Sequence, residues 1–143
     1  MRLFKEFDGS LEEYVDTHLS EIVRLTPLKI ANVAAKLLGF PRERIRGTSR
    51  KERVVLARYI GMAFSKVLFP KMSHDMIGYY IGNKDHATVT HAIKQITNSL
   101  NAKGDWRTEY IKETAAIIEL KCDLGYGIIK SLQEGRMQKS TVQ

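Results

Sequence analysis

Five histidine and aspartate side chains between positions 74 and 91 could ligate a metal or move a proton: His74, Asp75, Asp85, His86 and His91. A metal-dependent nuclease would need such groups to converge on one ion. His86 and His91 are five residues apart, which sets them about 140° apart around a helix and makes a poor ligand pair. No second carboxylate cluster is present for two-metal chemistry. The segment around these residues suggests another use for them. Ser73 can N-cap a helix, Gly82-Asn83-Lys84 supplies turn residues after it, and Asp85 can cap a second helix. In that second helix Val89, Ala92, Ile93, Ile96 and Leu100 recur as one apolar stripe. At about 100° per residue, Ala87, His91, Lys94 and Asn98 then face the opposite way. A short helix, a glycine turn and a longer helix with a small, polar, cationic outer face describe a helix-turn-helix. Such a motif offers its second helix to a DNA groove.

The charge distribution agrees. Residues 1–40 hold five Lys/Arg and six Asp/Glu, residues 41–104 twelve and four, and residues 105–143 six and six. The whole excess of the +7 chain therefore lies in the middle segment that carries the motif. Phosphate binding calls for this, because cations gain affinity by releasing condensed counterions. A solvated basic face without a partner would show the same count, and the motif decides for nucleic acid.

The elements that must position this face follow from the rest of the chain. With 143 residues, 27% of them charged and 43% hydrophobic, the chain suits one folded domain. Residues 1–133 are expected to form one helical DNA-binding domain, with a frayed tail at 134–143. Ser10-Leu11-Glu12-Glu13 has capping-box spacing and opens a helix over 10–25, read mainly as a packing helix. Thr26-Pro27 starts a helix that Gly39 and Pro41 end, with Ile30, Val33, Ala34, Leu37 and Leu38 inward. A short helical turn over Pro41–Arg46 leads into a small cationic loop, Gly47 to Lys51. A helix from about Ser49 to Leu68 carries Leu56, Ile60, Ala63, Phe64 and Val67 inward and serves as the central scaffold. Asp105 can cap a last helix over 105–133, which Gly125 and Gly127 should weaken or kink. Its apolar residues are a packing face or a homodimer seam, which leaves monomer or dimer open. Cys122, the single cysteine, is expected to be a buried thiol in a reducing cytoplasm. No apolar run reaches membrane-spanning length, and no signal peptide is apparent.

Gly82-Asn83-Lys84-Asp85-His86-Ala87-Thr88-Val89-Thr90-His91-Ala92 closely resembles the signature of the C-terminal DNA-binding domain of the bacterial replication initiator DnaA. There the pattern is a glycine pair, Arg, Asp-His-Thr-Thr-Val, one free position, then His-Ala. Upstream, Arg46-Gly47-Thr48-Ser49-Arg50-Lys51 with Val54-Val55-Leu56-Ala57-Arg58 is similar to that domain's basic loop and following helix. The resemblance spans residues 29–100 and implies an all-α, Trp-repressor-like fold with a core at 26–101 and extra terminal helices. It implies that Arg50 enters a minor groove, where a guanidinium suits a narrow A/T-rich groove. Asp85 and His86 would read bases, and Arg58, Lys51, Lys84, Thr88, His91 and Lys94 would touch phosphates or the groove wall. Four departures bear on the reading surface. Ala87 replaces a threonine, His74-Asp75 replaces Leu-Pro, Asn83 the second glycine and Ile81 an aromatic residue. His74 is thereby a further candidate contact.

The initiator is an ATPase, whereas this sequence has no GxxxxGK[ST] loop. The expectation is a free-standing relative of one domain, cytoplasmic and nucleoid-associated, acting in replication or transcription control. It would be no enzyme and would need no nucleotide, cofactor, metal or membrane. The alternative is an interaction module for a replication or transcription protein, with only nonspecific DNA affinity. RNA binding lacks the usual aromatic platform.

Overall fold

A computed structural model describes residues 25–122 and 127–135. Among the described residues there are six α-helices and no strand: α1 Pro27–Leu38, α2 Glu52–Leu68, α3 His74–Tyr80, α4 His86–Asn101, α5 Arg107–Cys122 and α6 Ile128–Glu134. A 3-10 turn at Arg42–Arg44 supplies the expected short helical turn. The fold is all-α, and none of its described helices is long and apolar enough to cross a membrane. The helix expected over 10–25, the tail after Gly135 and the surroundings of the Cys122 thiol lie outside the described residues.

Local signals mark most helix ends. The Thr26 hydroxyl accepts from Lys29 N at 3.2 Å, Pro27 occupies the first turn, and Gly39 closes α1 in the left-handed conformation. The Ser73 hydroxyl accepts from Met76 N at 3.1 Å to open α3. Before α5, the Asp105 carboxylate accepts from Arg107 N and also holds its guanidinium at 2.9 Å.

Two boundaries differ from expectation. Helix α2 begins at Glu52 rather than near Ser49, because Ser49 is engaged elsewhere: its carbonyl accepts from Arg58 and its hydroxyl from Lys51 N. The C-terminal segment forms two helices instead of one kinked helix. Gly127 is non-helical, and the Glu119 carboxylate accepts from Ile128 N at 2.8 Å, so α6 starts anew with α5 supplying a cap.

Helix α2 is the scaffold. It packs on α1, α4, α3, α5 and α6, and Leu56, Ile60, Ala63 and Phe64 are buried in the centre. Ile30 and Leu37 from α1, Ile77 from α3, Ile96 from α4 and Ile111 and Ile117 from α5 surround them. Each of the leucine, isoleucine and phenylalanine side chains contributes about 1.5–3 kcal/mol through burial. Ile128 and Leu132 are also fully buried, so the apolar residues of the C-terminal helices that lie inside form a packing face.

Candidate nucleic-acid interface

The turn between α3 and α4 is shaped by backbone that only small residues allow. Lys84 N donates to Gly78 O at 2.9 Å, and the Lys84 carbonyl lies where a Cβ at position 78 would have to go. Gly82 has φ +103°, and a Cβ there would stand 2.6 Å from the Arg46 carbonyl oxygen. Asn83 follows at φ 59°, a left-handed conformation that asparagine tolerates better than most residues. Asp85 then caps α4, its Oδ1 accepting from Thr88 N at 2.8 Å. Hydrogen bonding from Thr88 holds this carboxyl below the usual carboxylate range. Both the side chain and the backbone N–H of Thr88 act on this carboxylate, yet the residue stays exposed, so the cap leaves Asp85 lone pairs open to a further donor.

Beyond the cap the helical arithmetic holds. Val89, Ala92, Ile93, Ile96 and Leu100 are buried, whereas Asp85, His86, Ala87, His91, Lys94 and Asn98 are exposed. Thr88 is half-buried. The leading turn and outer face of α4 thus present an acceptor, two imidazoles, a methyl group and an ammonium to solvent.

The cationic loop beside it is held from behind by Arg58. Only 6% exposed, this side chain donates from Nε to Ile45 O at 2.7 Å and from Nη1 to Ser49 O at 2.5 Å. Its Nη2 donates to Arg44 O at 3.1 Å and Gly47 O at 2.9 Å. Four of a guanidinium's five donors are therefore engaged with loop carbonyls. Burial lowers the affinity of this group for its proton, with Tyr59 opposing. The resemblance implies a phosphate contact for Arg58, but the side chain is buried and commits four donors to backbone carbonyls. It is the peg on which the loop hangs.

Lys84 requires a similar correction. Its Nζ donates to Gly47 O at 2.9 Å, and the residue is half-buried. Burial and the Arg58 charge both push this ammonium down. Its first partner is the loop, which it ties to the turn of the motif. Arg50 and Lys51, by contrast, are exposed. Arg50 lines a groove of about 360 Å³ with Val55, Tyr59, Gln95, Ser99 and Trp106. Tyr59 from that groove meets the His91 ring edge-on at 5.8 Å. The structure thus brings Arg50 to the flank of α4, the side that carries His91.

His74 is half-buried, with Nδ1 2.9 Å from Thr90 Oγ1 and its ring 4.9 Å from that of His86. Its ring is engaged with α4 rather than standing free as a separate contact. Ile81, one of the departures read as altering the surface, is fully buried and belongs to the core. Sequence reasoning missed Tyr59, Gln95, Thr90 and the exposed Trp106. Nothing in their spacing marks them, since each owes its place to contacts between helices.

Residues 27–96 match the family model described as the bacterial dnaA protein helix-turn-helix. The chromosomal replication initiator protein DnaA of Bacteroides thetaiotaomicron is 33% identical over 119 residues, which cover 82% of this chain and 25% of the relative. The initiator protein DnaA of Bacteroides fragilis is 38% identical over 80 residues, 56% of this chain and 17% of that protein. That of Clavibacter michiganensis is 30% identical over 119 residues, 79% and 24% of the two chains. The chain spans a quarter or less of the length of these relatives. No solved structure matches it. With a basic loop pinned against a capped, outward-facing second helix, this chain belongs, through residues 27–96, to the DNA-binding helix-turn-helix family of bacterial DnaA.

Proposed function

We propose that this domain binds double-stranded DNA sequence-specifically, with the leading turn of α4 in the major groove and Arg50 in the adjacent minor groove. The observation that carries the reading is the fastening of the two elements to each other: Lys84 and Gly82 of the turn contact Gly47 and Arg46 of the loop. A fixed offset between a helix start and a loop arginine is what simultaneous reading of two neighbouring grooves needs. In this reading Asp85 accepts from cytosine N4, His86 bonds a base edge and the Ala87 methyl touches thymine. Lys51, Thr88, His91 and Lys94 contact phosphates and set register. The role is replication or transcription control, without catalysis.

An interaction module would need a free face on the helix expected over 10–25 or on the C-terminal segment 105–133. The first lies outside the described residues, and most apolar residues of the second pack inward. Selection of bound oligonucleotides from a random pool tests the proposal. An enriched motif is expected, and salt-dependent retention on it should weaken in Arg50→Ala. A featureless pool would refute sequence reading.

A further inference from the structure

His74 and His86 are the first residues of α3 and α4. Their ring centroids stand 4.9 Å apart at an interplanar angle of 34°, within the range of stacked rings. Thr90 links the two. Its hydroxyl donates to the His86 carbonyl at 3.1 Å and lies 2.9 Å from His74 Nδ1. A hydroxyl has one proton. With that proton on the His86 carbonyl, His74 Nδ1 must be the donor, and neutral His74 is the Nδ1–H tautomer with an acceptor at Nε2.

The groups around His74 come from four elements. Lys66 of α2, Lys94 of α4 and Glu134 at the end of α6 line one groove of about 730 Å³ with it, and Asp75 follows it on α3. Burial, then Lys66 and His86, hold the imidazole below its ordinary range, with Asp75 opposing. At physiological pH His74 is therefore an uncharged plate lying against the ring of an exposed neighbour.

We infer that His74 is a positioning residue for His86, fixing the His86 ring and the first turn of α4 in the orientation that reads bases. This rests on the DNA reading proposed above. An exposed imidazole free to rotate must be ordered when DNA binds, and ordering one side chain beforehand removes that cost. The gain falls on base contacts and leaves phosphate contacts untouched.

The test uses His74→Ala and His74→Phe, the second keeping a stacking ring without the hydrogen bond. On the selected duplex, His74→Ala should lose about fivefold in affinity while binding to random duplex stays unchanged. His74→Phe should recover most of the preference. In the free protein, NMR relaxation of the His86 ring signals should report a restricted ring that gains mobility in His74→Ala and is restricted again in His74→Phe. Equal losses of His74→Ala on selected and random duplex, or His86 ring signals indifferent to the substitution, would overturn the inference alone. A wild-type protein without any preferred sequence would overturn the DNA reading as well.

Discussion

The loop at residues 46–51 and the leading turn of α4 touch each other, yet they are held in opposite ways. The turn is secured by its own neighbours in sequence: Asp85 caps Thr88 three residues on, and Lys84 N bonds Gly78 O six residues back. The loop has no regular structure. It is secured from α2 by Arg58 bonds to Gly47 O and Ser49 O, with two more to Arg44 O and Ile45 O just before it, and from the turn of the motif by the Lys84 ammonium. Two arginines eight residues apart therefore do different work. Arg50 is exposed and available to a ligand, whereas Arg58 is buried and makes the loop that presents it. Positive charge in a binding segment divides into cations that meet the partner and cations that shape the surface, and burial separates the two.

Substitutions can break this division, starting with the buried arginine. Arg58→Ala takes the side-chain donor from Ile45 O and Ser49 O and one of two donors from Arg44 O and Gly47 O, and should cost about 3 kcal/mol of stability in urea unfolding, with the loss of specific binding following from the loosened loop. Unchanged stability would mean that the loop holds itself. Arg50→Ala should leave the thermal midpoint where it is, weaken DNA binding about tenfold and lower the salt slope by about one. His86→Ala should cost about 1–3 kcal/mol on the preferred site and little on random duplex, and equal losses would remove it from base reading.

The two lysines sharpen the comparison further. Lys84→Ala should lower stability by about 1 kcal/mol by cutting the tie from the turn to Gly47 O, which keeps its Arg58 donor, whereas Lys94→Ala should flatten the salt slope with no change in stability. The smallest effect is one of pH. The folded His74 binds its proton less readily than the unfolded chain does. Between its folded pKa and the ordinary imidazole value the unfolded state carries more protons, so stability rises with pH across that interval. Thermal midpoints measured between about pH 7.5 and 5 should therefore fall on acidification, and His74→Phe should flatten that part of the curve.

Much of this was legible in the chain because it depends on near neighbours. Caps at Thr26, Ser73 and Asp85 work over three residues, and the stripe from Val89 to Leu100 depends only on helical period. These features indicate a helix-turn-helix and the outward face of α4. The identity of the cations that reach solvent was not legible. Arg50, Arg58, Lys84 and Lys94 are alike in type, and the family resemblance together with helical spacing places all four at the DNA.

By itself, the sequence determined the helices between residues 27 and 101 with their caps at Thr26, Ser73 and Asp85, the basic middle segment and the family. Tertiary structure alone decided that Arg58 and Lys84 turn inward, that Ile81 is core and that His74 lies on His86. The reason is that a long cationic side chain goes to whichever acceptors the fold brings within reach. The carbonyls of residues 44–49 come within reach of Arg58 and Lys84 only after distant segments have packed together.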